Sequence, residues 1–155
     1  MSEDTLDTSI SACTKCVEAC QVFAEVCLLQ IYTGRDELPR VAALKACRDC
    51  LDICRLWLLL KQQNDPNYLR LCRVCASLCR RCAEACAALE DYSAQSCNCS
   101  SLACARTMEM LSRSQSKSAT DLRETPAESP LFRPFESRAF LPEDPPMAPP
   151  MPLSG

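Results

Sequence analysis

The sequence contains no histidine and only two glycines, Gly34 and Gly155. Without imidazole there is no histidine-based triad, no HExxH zinc site and no imidazole acid–base chemistry. Two glycines leave no phosphate-binding loop, no GxGxxG turn and no glycine-punctuated all-β fold. Long apolar runs are missing as well. Leu56-Trp57-Leu58-Leu59-Leu60 is far too short to span a bilayer. The formal charge of −3 gives no electrostatic reason to expect nucleic acid or an anionic membrane as partner. The opening residues, Met1-Ser2-Glu3-Asp4-Thr5-Leu6-Asp7, are acidic with no apolar stretch behind them, so no export signal is expected.

Cysteine is what the chain has in excess, 15 residues in 155. Such a content ordinarily points to a secreted disulfide scaffold. Here the expected compartment is the cytoplasm, where thiols stay reduced, and an odd number excludes complete intrachain pairing. All the cysteines fall between Cys13 and Cys104, while nine of the eleven prolines follow Thr125. The chain therefore divides into a cysteine-rich body, residues 1–112, and a Pro/Ser-rich tail, residues 113–155. The body is long enough for one small core. The tail is too rich in proline for regular helix or central strand, and a disordered or extended segment is expected.

The body reads as four helices, an all-α fold. Helix 1 is expected from Asp7 or Thr8 to Tyr32, stopped at Thr33-Gly34. Asp36 is a candidate cap for helix 2, with Pro39 in its first turn and an end near Gln63. Asn64-Asp65-Pro66 opens helix 3, which is expected to last to about Leu89. Asp91, Tyr92 and Ser93 break the pattern before helix 4, which is expected to end near Ser112. Short connections between long amphipathic helices favour an antiparallel up-down-up-down four-helix bundle.

The cysteines repeat at helical spacing. Of their fourteen successive gaps, four are 3, four are 4 and one is 7. Those steps hold a residue on the stripe that other bundles fill with leucine, so the bundle core is expected to be lined with thiols. Val17, Phe23, Leu44, Leu51, Leu58, Val74 and Leu78 are left to complete the packing. One or two seam cysteines would be ordinary small hydrophobes. A dozen would fill the core poorly. Disulfides along one helix are badly placed, because side chains at i,i+3 or i,i+4 sit about 5–6 Å apart at Cβ and a disulfide wants about 3.8 Å. A metal ion bridges that gap: with bonds of about 2.3 Å, two sulphurs can lie about 4–5 Å apart around it.

Thiolate softness selects Cu(I), zinc or iron–sulphur. Replacing each thiol proton by a monovalent cation keeps a buried core near neutral, whereas zinc in a tetrathiolate site leaves a buried −2. Iron–sulphur clusters use loops wrapped around the cluster, unlike Cys72-x2-Cys75-x3-Cys79 on a helix. Multiple Cu(I) ions per chain are therefore expected, with zinc and iron–sulphur as alternatives. A buried stripe with no acid–base residues suits storage rather than catalysis. A copper chaperone, the other alternative, would expose a single CxxC.

The stripes CTKCVEACQVFAEVC, CRDCLDICRLW and CRVCASLCRRCAEAC closely resemble those of the four-helix-bundle copper storage proteins, over roughly residues 8–112. The resemblance implies Cu(I) held by thiolates inside the bundle, many ions per subunit, and a homotetramer. It carries over as metal ligands Cys13, Cys16, Cys20 and Cys27 on helix 1, and Cys47, Cys50 and Cys54 on helix 2. Helix 3 supplies Cys72, Cys75, Cys79, Cys82 and Cys86, and helix 4 supplies Cys97 and Cys104. The family pattern on helix 4 would put a further cysteine where Ser100 stands. Cys99 lies about 200° from Cys97 and faces outward, unless the helix begins irregularly. The family's guarding histidine is absent, and Met108, whose thioether is soft enough for Cu(I), is the candidate entry ligand beside Trp57 and Leu111. In the tail, Phe132, Phe135, Phe140 and Leu141 suggest docking against the chain's own oligomer or into a protein partner or shell. Met147 and Met151 offer further thioethers there.

Overall fold

The computed structural model describes residues 2–34 and 38–121. Asp36, expected to cap the second helix, lies outside the described residues, as do residues 122–155. Four helices follow one another: α1, Glu3–Tyr32; α2, Leu38–Gln62; α3, Tyr68–Ala87; and α4, Tyr92–Asp121. No strand occurs among the described residues. Each helix packs on two others, α1 and α3 both lying between α2 and α4, which makes the antiparallel bundle expected from the sequence.

Local chemistry sets the helix ends. α1 begins about a turn earlier than the apolar pattern suggests, with Glu3 and Asp4 in its first turn, where carboxylates suit the helix dipole. It ends where the Gly34 N–H donates to Ile31 at 3.0 Å and Gly34 takes φ +86°, a left-handed conformation that glycine adopts without strain. The α2–α3 turn is a Schellman motif built on asparagine. Asn64 adopts φ +54°, its N–H donates to the Lys61 carbonyl at 3.1 Å, and the Asp65 N–H donates to the Leu60 carbonyl at 2.9 Å. Asp65 Oδ1 then accepts from the Asn67 N–H, so α3 starts at Tyr68, two residues after Pro66.

α4 differs most from expectation. Tyr92 and Ser93 belong to its first turn rather than to a break, and the Asp91 carbonyl accepts from the Gln95 N–H at 3.0 Å. The helix also continues nine residues past Ser112, to Asp121. Gln115 in that extension donates to the Leu69 carbonyl at 3.2 Å, pinning it to the start of α3.

The interior follows a 3-4 heptad rhythm on all four helices. The buried stripes are Ser9, Cys13, Cys16, Cys20, Phe23 and Cys27 on α1, and Ala43, Cys47, Cys50, Cys54 and Trp57 on α2. They continue as Cys72, Cys75, Cys79, Cys82 and Cys86 on α3, and Cys97, Ser101, Cys104, Met108 and Leu111 on α4. Phe23, Leu44 and Leu51 complete the core as expected. Val74 does not: it lies two residues past Cys72, about 200° round the helix, and is exposed. Neighbouring sulphurs approach to 3.5–4.0 Å, in van der Waals contact, so the thiol-lined interior is filled rather than hollow.

Candidate metal centre

Fourteen of the fifteen cysteines are buried and all are free thiols. Antiparallel packing stacks them in layers with one residue from each helix. One layer holds Cys13, Cys54, Cys75 and Cys104. In it Cys54 Sγ lies 3.7 Å from Cys75 Sγ and 4.0 Å from Cys104 Sγ, and the Cys13 thiol points at the Cys54 carbonyl. The next holds Cys16, Cys50, Cys79 and Ser101, with Cys16–Cys50 at 3.6 Å and Cys50–Cys79 at 3.5 Å. The third holds Cys20, Cys47, Cys82 and Cys97. There Cys20–Cys97 is 3.5 Å, Cys82–Cys97 is 3.6 Å, and the Cys47 thiol donates to the Cys20 carbonyl at 3.0 Å.

Three sets of four Sγ atoms lie within 4.8 Å of one another: Cys16, Cys50, Cys54 and Cys79; Cys54, Cys75, Cys79 and Cys104; and Cys20, Cys47, Cys82 and Cys97. Two sulphurs held by one ion at bonds of about 2.3 Å stand roughly 3.8 Å apart in a tetrahedral arrangement and 4.6 Å apart in a linear one. The observed contacts are at or slightly below that range, so the donor set fits a thiophilic ion with movements of tenths of an ångström. A disulfide needs about 2.05 Å between sulphurs, and none is formed.

The electrostatics favour exchange of protons for cations. Burial pushes the Cys27 and Cys72 thiols up, against the opposing pull of the Arg40 guanidinium and the Trp57 indole respectively. Neighbouring thiols, together with burial, push Cys20, Cys79 and Cys104 far up. Cys54 and Cys82 move down, the first beside the Cys104 and Cys13 thiols and the second beside Cys20 and Cys47. Deprotonating this buried set requires a cation within the core.

The ends of the bundle differ. At one, Trp57, Met108 and Leu111 are fully buried, and Trp57 meets the Tyr68 ring edge-on at 5.8 Å. Cys72 lies at this end beside Trp57 and Gln115. At the other, Arg40 is buried, pairs with Asp91 and faces Cys27. This cation–thiol contact was not legible from cysteine spacing, because the positions that meet come from three different helix ends.

Residues 2–113 of the chain match the family model for the copper storage proteins, Csp. The chain belongs to the copper storage protein family. A curated relative is the uncharacterized cysteine-rich protein YhjQ of Bacillus subtilis, 27% identical over 103 residues, 66% of this chain and 92% of the relative. Among solved structures, the Cu(I)-bound copper storage protein BsCsp3 superposes with a TM-score of 0.61 at 24% identity, covering 70% of this chain and 98% of the other. Apo-Csp3 of Bacillus subtilis gives 0.60 at 24% identity, with 68% and 97% coverage. These likenesses support the same bundle architecture.

One expectation about the core of α4 in this family member changes. Ser100 does not occupy the vacant core position: it is half-buried and lines a surface groove with Lys15 and Val22. The core position belongs to Ser101, fully buried, with Oγ 3.6 Å from Cys16 Sγ, 3.8 Å from Cys20 Sγ and 3.9 Å from Cys97 Sγ. The spacing is Cys97-x3-Ser101-x2-Cys104, in phase with Met108 and Leu111. That 4-3-4-3 phase was readable in the sequence. Cys99 is exposed on a regular helix, so the irregular-start alternative falls.

Proposed function

We propose that this chain stores Cu(I) within its bundle, bound by Cys13, Cys16, Cys20, Cys27, Cys47, Cys50, Cys54, Cys72, Cys75, Cys79, Cys82, Cys86, Cys97 and Cys104. The observation carrying this reading is the three sets of four buried sulphurs within 4.8 Å, two of which share Cys54 and Cys79. Shared ligands suit bridging thiolates and a run of ions rather than isolated tetrahedral sites. Zinc in each set would leave a buried −2 per site, and the one buried cation among the described residues, Arg40, already faces Asp91. Each Cu(I) instead replaces one proton at constant charge.

Met108 is the entry ligand in this reading. It lies on the stripe beyond Cys104, at the end that Arg40 does not occupy. Cys27, which faces Arg40, is the weakest ligand, because a guanidinium repels an arriving cation. The role is sequestration, not catalysis, in the cytoplasm, by a homotetramer. Residues 113–121 complete α4, and the rest of the Pro-rich segment docks on its own oligomer or on a protein partner through Phe132, Phe135, Phe140 and Leu141. No described helix is long and apolar enough to cross a membrane.

Anaerobic titration of reduced protein tests the storage reading. Saturation at roughly ten or more Cu(I) per chain is expected, with far weaker zinc uptake. Saturation at one or two equivalents would match a chaperone and end it.

A further inference from the structure

Eleven of the twelve corners in the three central layers are cysteine, and Ser101 is the twelfth. Its position matters more than its number. The first two four-sulphur sets share Cys54 and Cys79 and together form one continuous group of six thiols. The third set shares no member with either. Ser101 stands at the junction, 3.6 Å from Cys16 in the six-thiol group and 3.8 Å and 3.9 Å from Cys20 and Cys97 in the four-thiol group. Across the junction the sulphurs are less tightly grouped: Cys16 to Cys20 is 4.0 Å along a single helix, and Cys50 interacts with Cys20 and Cys82 but belongs to no four-sulphur set with them.

A thiolate at position 101 would touch both groups and bridge their ions. A hydroxyl is a hard, neutral oxygen that does not compete with thiolate for Cu(I), and it donates a hydrogen bond to adjacent sulphur instead. We infer that Ser101 partitions the copper store into two pools that fill in separate steps: one on the Met108 side, built on the six-thiol group with Cys13 and Cys72, and one on the Arg40 side, built on the four-thiol group with Cys27 and Cys86. Ser101 acts by filling the corner between Cys16, Cys20 and Cys97 with a side chain that is not a thiolate and holds no metal. The inference rests on the Cu(I)-storage reading and adds an internal boundary to it.

Stepwise anaerobic Cu(I) addition followed by native mass spectrometry reads the boundary directly. Wild-type protein should accumulate one discrete partly loaded species before full loading. Ser101→Cys should lose that species and gain about one ion or more at saturation, while Ser101→Ala should keep the wild-type pattern and count. Cys47→Ser/Cys82→Ser, which disables the smaller pool, should fill in one step, and it provides the test should Ser101→Cys fail to fold by circular dichroism. The inference is overturned if wild type fills without an intermediate, if Ser101→Cys and wild type give the same distribution, or if the double variant still fills in two steps. Uptake of only one or two ions by wild type would instead refute the storage reading itself, so the two failures are distinguishable.

Discussion

Arg40 ends in a nearly closed environment, its guanidinium against Asp91 and Cys27 and its Nε without a hydrogen-bond partner. Removing Asp91 strands that cation. Asp91→Asn should therefore destabilise apo protein by on the order of 3 kcal/mol in chemical denaturation. The Arg40→Met/Asp91→Asn double variant should recover a substantial part of that loss, since no uncompensated charge is left. Equal stabilities for the two variants would show that the pair carries no burial penalty. The thiols give a pH signature. Cys27 and Cys72 are raised by burial, so their contribution to stability is complete below the unfolded thiol value and is lost as pH rises through their folded values. Apo melting temperature should fall above about pH 8.5, and less steeply in Cys27→Ser/Cys72→Ser. Parallel profiles would contradict this. Cys99, exposed and outside every sulphur group, can become serine with no change in copper count.

At the scale of elements, a bundle whose sulphurs already touch does not need metal to close. Apo protein should show the far-UV circular dichroism of a mostly helical chain, and copper should change it little. A coil spectrum that turns helical only on copper addition would mean that metal and fold are coupled as in a zinc finger. The length of α4 decides where the chain can be cut. Because Gln115 bonds the Leu69 carbonyl, ending the chain at 121 should preserve apo stability, whereas ending it at 112 should lower it by about 1 kcal/mol or more. Identical melting curves for the two truncations would show that the last turns of α4 contribute nothing. The extension escaped sequence reading for a physical reason: Ser114, Ser116 and Ser118 are poor helix formers, and no apolar stripe continues past Leu111. Helix 1, by contrast, was legible from its second turn to its last residue, Tyr32, since its thiol repeat and its Gly34 stop act locally.

Across the whole molecule, most of the candidate centre is legible in the sequence, because a 3-4 repeat of one residue type names both the helix and its inward face. Which sulphurs meet could not be read that way. Cys54 sits within 4 Å of Cys75, Cys79 and Cys104, partners on two other helices, and only the relative heights of antiparallel helices fix that. Ser100 stood in for Ser101 for a different reason: the family's Cys-x2-Cys-x3-Cys spacing points to position 100, while the 4-3-4-3 phase of α4 puts position 101, about 100° away, on the stripe. The Arg40–Asp91 pair was invisible for a related reason: it joins the start of α2 to the α3–α4 turn, two sites with no pattern of their own. The measurement that bears most directly on the molecule's purpose is an anomalous diffraction map, recorded at the copper edge on crystals of the Cu(I)-loaded chain. A row of copper peaks along the bundle axis, each between sulphurs of the Cys13–Cys104 stripes, is the expected result. Copper confined to the surface, or a single buried peak, would contradict it.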